Sequence, residues 1–150
     1  MRSRGFTLIE MLLGIAILAL ISGIAVTSFS NYRQKEAVDK GANQIASLFE
    51  KARYQTLSAR AGSVYGVQMA TTTAILFQDT YSAGATTNTK FTIDPSVEIS
   101  YSFTGGTNEI KFNKFTAETT ATGTITVFLK ADSTNKRIIT IYSTGVIEQQ

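Results

Sequence analysis

Apolar and polar residues change their spacing along the chain, and each change predicts a different element. From Met11 to Ser30 no residue is charged, and Leu, Ile, Ala, Val, Met and Phe dominate. A helix rises about 1.5 Å per residue, so this run would extend roughly 30 Å, the thickness of a bilayer core. Gly14 and Gly23 are tolerated in such helices, and no proline interrupts the run. Beyond Ser30 the apolar residues retreat to one face. Val38, Ala42, Ile45, Phe49 and Ala52 recur at alternating steps of four and three, while Lys35, Glu36, Asp39, Lys40, Glu50, Lys51 and Arg53 fall mostly off that stripe. With no proline between Phe6 and Arg60, one helix of about fifty residues is predicted, stopping near Gly62.

After Gly62 the spacing drops to two and β-formers take over. Strands are predicted over Val64–Met69, Ala74–Gln78, Val97–Phe103, Glu109–Phe112, Thr124–Leu129 and Arg137–Ser143, with a short one at Val146–Glu148. Asp79 to Thr89 reads as a polar loop, Pro95 as a strand entrance and Gly105-Gly106 as a tight turn. Asp132-Ser133-Thr134-Asn135 reads as a hairpin loop. The fold class is α+β: a long N-terminal helix, its first half transmembrane and its second half amphipathic, packed on an antiparallel sheet. The implied segments are a basic leader at 1–5, a membrane helix at 6–30, the amphipathic half at 31–61 and a β-rich soluble domain at 62–150.

Charge and composition narrow the functions available. The net charge is +3, and removing residues 1–5, with Arg2 and Arg4, would leave +1. That is too little to argue for nucleic-acid binding from bulk charge. The chain has no cysteine and no histidine. Disulfides, thiolate zinc sites and the usual general base and thiol nucleophile are therefore excluded. Asp79, Asp94, Glu98, Glu109, Glu118 and Asp132 are scattered and form no acid–base constellation, so no catalytic residue, metal site or cofactor is expected.

The carboxylate Glu10, heading an otherwise clean apolar run, decides how the N-terminus is read. Arg2 and Arg4 followed by an apolar core could be a cleaved signal peptide with a small-residue site near Gly23 to Ala25, or a plain signal anchor. Neither accounts for Glu10, because a carboxylate deep in a membrane helix costs roughly 2.5–3.5 kcal/mol on insertion scales, less near its end.

Gly5-Phe6-Thr7-Leu8-Ile9-Glu10, after a short basic leader and before a long apolar run, resembles the class III leader of type IV pilins and pseudopilins. The resemblance implies that a prepilin peptidase cuts between Gly5 and Phe6 and N-methylates Phe6. It also implies that Glu10 serves assembly, pairing with the N-terminal amine of a neighbouring subunit. Implied partners are the peptidase, other pilin or pseudopilin subunits, an inner-membrane assembly platform and the lipid bilayer. The implied location is the bacterial inner membrane, single-pass, with the N-terminus cytoplasmic and the C-terminal domain outside, and a filament after assembly.

Within that family the chain is most similar to the FimT and H-type (GspH) minor subunits. Leu48 to Arg53, Ala59-Arg60, Val64 to Met69, Phe112 to Phe115, Gly123 to Leu129, Arg137 to Ser143 and Thr144 to Ile147 carry that similarity. The expected function is thus a minor pilin or pseudopilin of a type IV pilus or a type II secretion pseudopilus. The runner-up is a FimT-like DNA-binding minor pilin of a DNA-uptake pilus, through weak contacts at Lys130, Lys136 and Arg137. The tail Gly145 to Gln150 lacks the basic residues which that function relies on in the family.

Overall fold

The computed structural model describes residues 6–58, 62–119 and 121–150, with the backbone but not the side chains of 25–28, 30 and 31. The expectations that rest on Arg2, Arg4, Gly5, Ala59 and Arg60 lie outside the described residues. Helix α1 runs Leu8–Leu57. The chain divides into two compact units, Met1–Gln34 and Lys35–Gln150.

Between Met11 and Ile24 α1 presents apolar residues on every side. Leu8, Ile9, Leu12, Leu13, Leu18 and Ile21 are all exposed, with Leu12, the least exposed of these, at 56%. Ser22, a polar residue in this stretch, donates its hydroxyl to the Leu18 carbonyl at 2.7 Å and so satisfies itself within the helix. Among the described residues, no helix is long and apolar enough to cross a membrane. The predicted apolar run includes 25–28 and 30, whose side chains fall outside the description.

In the second unit the predicted stripe is the seam of the core. Val38, Ala42, Ile45, Phe49 and Ala52 are each 0% exposed. They join one cluster with Val67, Met69, Leu76 and Ile110 on one sheet and Ile99, Ile125, Val127, Ile139 and Ile141 on another. The stripe continues one step further than the apolar pattern indicates. Thr56 is fully buried, donates its hydroxyl to Ala52 O at 2.9 Å and accepts the Tyr65 N–H at 2.9 Å. That hydroxyl ties the last turn of α1 to the first strand, and the helix ends at Leu57 rather than close to Gly62.

Among the described residues eight strands follow: β1 Tyr65–Met69, β2 Thr73–Gln78, β3 Thr89–Thr92, β4 Val97–Phe103, β5 Glu109–Lys111, β6 Gly123–Leu129, β7 Asp132–Ile141 and β8 Ile147–Gln149. They form two four-stranded antiparallel sheets, ordered β3-β2-β1-β5 and β4-β6-β7-β8, where the sequence pattern predicts one. Alternation sets the faces: Val97, Ile99 and Phe103 on β4, and Ile125, Val127 and Leu129 on β6, are buried. Their register pairs Ile99 with Val127 and Ile125 with Ile139. Gly66 on β1 is required by close approach, since a Cβ there would lie 2.6 Å from Ile110 O and 2.7 Å from Phe77 Cζ.

Two local expectations need correction. Thr89–Thr92, left outside the predicted strands, is the edge strand β3 paired to β2. The stretch 132–135, expected as a hairpin loop, lies within β7, opposite the point between Phe128 and Leu129 of β6 where the pairing register shifts. Its polar residues still make a local turn: the Asp132 carboxylate accepts the Thr134 N–H at 3.0 Å and the Thr134 hydroxyl at 2.6 Å. The hydroxyl first, and then the N–H, hold the Asp132 carboxyl below its ordinary pKa.

Candidate processing and assembly site at the helix N-terminus

Thr7 lies just outside the first helical residue, Leu8, and Glu10 lies in the first turn. The Thr7 N–H donates to Glu10 Oε2 at 2.8 Å, the Thr7 hydroxyl donates to the same oxygen at 2.7 Å, and the Glu10 N–H donates to Thr7 Oγ1 at 3.3 Å. This is a reciprocal capping box, T-x-x-E, in which the cap and the third helical residue satisfy each other's backbone donors. A carboxylate in the first turn also meets the positive end of the helix dipole. Glu10 thus has a local partner that the sequence reading missed, although the Thr7–Glu10 spacing announces it. Phe6 precedes the cap, 84% exposed. Gly5, the other side of the expected cleavage position, lies outside the described residues.

The arrangement offers a buffered anion at the head of an apolar surface. Oε2 is occupied by Thr7, so an incoming cation has the other carboxylate oxygen to approach. Among the described residues, the groups at this end of the helix are the Thr7 hydroxyl and the Glu10 carboxylate, bound to each other, and what the carboxylate offers a partner is its charge.

The three candidate cations in the β unit are not gathered into one surface. Lys130 Nζ donates to Pro95 O at 2.8 Å, which pins the β6–β7 connection to the entrance of β4. Arg137 Nε lies 2.8 Å from Asp39 Oδ1 on α1. Arg137 shares its face of β7 with Ile139 and Ile141, and the ion pair lies half-exposed at the edge of that face. Lys136 borders a cleft with Lys35, Asp39, Asp132 and Arg137. Of the aromatics, Phe103 is buried and stacks on half-buried Tyr101 at 5.4 Å. Tyr142 donates its hydroxyl to Glu148 at 2.8 Å, and that bond and the Glu148 charge raise its pKa above the ordinary tyrosine value.

The scattered carboxylates are spent on local structure. Asp79 accepts the Val64 N–H, Asp94 accepts from Ser96, and Glu109 pairs with Lys111 at 3.3 Å.

Residues 1–26 match the family described as the prokaryotic N-terminal methylation motif. No curated protein matches the chain. The fold is similar to that of the type IV minor pilin FimU of Pseudomonas aeruginosa, with a TM-score of 0.61 at 11% identity over 79% of this chain and 92% of that one. It is also similar to the minor pseudopilin EpsH from the type 2 secretion system of Vibrio cholerae, with a TM-score of 0.57 at 12% identity over 75% of this chain and 95% of that one. The chain is therefore pilin-like: an N-terminal methylation motif heading the α+β fold that a type IV minor pilin and a minor pseudopilin share.

Proposed function

We propose that the chain is a minor pilin or pseudopilin, a filament subunit of a type IV pilus or a type II secretion pseudopilus. Prepilin peptidase cuts between Gly5 and Phe6 and methylates the new Phe6 amine. The apolar helix holds the subunit in the bacterial inner membrane as a single pass, N-terminus cytoplasmic, until it enters the filament. The observation that carries this reading is the helix exposed on all sides as apolar surface, with Glu10 at its head. A helix hydrophobic all round is stable only when lipid or other helices cover it. A carboxylate in those surroundings is costly unless a cation meets it. The cation created by cleavage is the Phe6 amine of a neighbouring subunit.

The capping box supplies both a competing explanation and the test. If Glu10 serves only as a cap, Glu10→Gln is neutral, because glutamine fills the same position of the motif. If it pairs with an amine, Glu10→Gln keeps the helix and the processing but is lost from sheared filaments, while the membrane pool is unchanged. Equal incorporation of Glu10→Gln and wild type would defeat the pairing. DNA contact through Lys130, Lys136 and Arg137 is the weaker alternative, because Lys130 and Arg137 are held in internal contacts.

A further inference from the structure

Within the second unit, β7 and its part of α1 run the same way. Arg137 meets Asp39 at 2.8 Å, and Gly145, beyond the end of β7, lies where a Cβ would come 3.6 Å from Arg53 Nε, further along the helix. The β6–β7 connection, Lys130-Ala131, therefore stands at the end of the unit where Lys35 begins it. Thr144, in the turn after β7, stands at the opposite end. A cleft near the connection brings Lys35 of α1 together with Lys136 of β7. Both lysines are exposed, and among the described residues neither makes an ion pair. The carboxylates of the cleft are already engaged, Asp39 with Arg137 and Asp132 with the Thr134 N–H and hydroxyl.

What this surface meets is decided by where it stands. Ser30, the last residue of the uncharged run, precedes Lys35 by five residues, which is about 7.5 Å of helix and at most about 18 Å of extended chain. Between them come Tyr32, 65% exposed, and Arg33, an aromatic and a cation of the kind that mark where a helix leaves a bilayer. At physiological salt the Debye length is about 8 Å, so the cleft lies within about one to two such lengths of the headgroups. Two lysines are a weak attraction for a partner that diffuses freely. For a surface to which the unit is already tethered the contact is intramolecular, and a weak attraction suffices.

We propose that the cleft of Lys35 and Lys136 docks on anionic phospholipid headgroups, each ammonium group meeting a headgroup phosphate. The second unit is then held with its β6–β7 connection on the membrane while the subunit awaits assembly. This rests on the reading that the apolar part of α1 anchors the chain in a bilayer, and adds a second, reversible contact to that anchor. Each lysine near an anionic surface multiplies the docked population about fivefold, so the pair is worth more than tenfold in the docking equilibrium.

The test uses the full-length chain, which has no cysteine of its own, with a fluorophore attached through Ala131→Cys beside the cleft or Thr144→Cys at the opposite end. Each is reconstituted into vesicles of phosphatidylcholine, alone or with about 30% phosphatidylglycerol, that carry a quencher on a headgroup. Quenching at position 131 should be several-fold stronger with phosphatidylglycerol and should fall as salt rises from about 50 to 500 mM. It should return to the phosphatidylcholine level in Lys35→Gln/Lys136→Gln. Quenching at position 144 should not change between vesicles, and Lys51→Gln/Lys114→Gln, the same loss of charge at exposed lysines outside the cleft, should behave like wild type. Equal quenching at 131 in the two vesicles, or full quenching in Lys35→Gln/Lys136→Gln, overturns the docking. So does its relief by inorganic phosphate at constant ionic strength, which would mark a small-anion site, or by a short DNA duplex, which would mark a nucleic-acid surface. Flotation of the vesicles separates the two ideas. A chain that does not float with them defeats the membrane-helix reading, whereas a chain that floats without the added quenching defeats the docking alone.

Discussion

Replacing Phe49 by alanine tests whether the second part of α1 is held by its apolar stripe. Phe49 is among the largest fully buried side chains, and it sits mid-stripe in the cluster that joins the helix to both sheets. Truncating a buried phenylalanine removes its transfer free energy and leaves a cavity, together about 3–5 kcal/mol. A domain of this kind has a total stability of about 5–15 kcal/mol, so the variant should fold with a much smaller reserve. At about 4 °C per kcal/mol, melting should fall by about 12–20 °C. The assay is thermal and urea denaturation of Lys35–Gln150, a compact unit with its own core, followed by far-UV circular dichroism. Tyr54 is the control, 72% exposed on the same helix, and Tyr54→Ala should stay within about 0.5 kcal/mol of wild type. A Phe49→Ala variant within about 1 kcal/mol of wild type, or a Tyr54→Ala variant equally damaged, would refute the packing assignment.

Other consequences follow from single sites. Gly145→Ala combines φ +75° with a backbone clash on Ala117 O, so it should destabilise by more than about 2 kcal/mol, while Gly62→Ala, at φ +70° with open space around it, should cost about 1 kcal/mol. Equal melting temperatures for the two variants would contradict the close packing of Gly145 on Ala117. The Asp132 pKa is depressed in the folded chain, so its contribution is present above its ordinary value of 3.8 and is lost as pH falls through the folded value. The Thr134 amide resonance should therefore titrate with a midpoint below 3.8, and Asp132→Asn should abolish that titration; a midpoint at or above 3.8 would contradict the turn geometry.

Much of the fold was legible because the helical stripe and the alternating strands separate two environments sharply. Val38, Ala42, Ile45, Phe49 and Ala52 all face the core because a period of 3.6 leaves them no other face. Partner choice was not legible. Alternation gives a strand its faces but not its neighbour, so the division into two sheets, with β1 between β2 and β5, could not be read locally. The edge strand β3 escaped because Thr-Lys-Phe-Thr carries a single half-buried residue and owes its extended form to pairing with β2. Two site features did have a signal. Arg137 shares its parity with Ile139 and Ile141, which sets it on the face of β7 that meets Asp39 on α1, in a half-exposed ion pair. Thr7 and Glu10 stand at the capping-box interval, visible once Glu10 is treated as a helix residue as well as a misplaced charge.

The central claim is that this chain is made to be cut ahead of Phe6 and assembled through the helix that follows. Intact-mass and N-terminal peptide mass spectrometry of the chain extracted from the producing cell's membrane tests it most directly. The account predicts a chain that begins at Phe6 and carries one extra methyl group on its amine. An N-terminus near Ala25, or an uncut chain beginning at Met1, would contradict it.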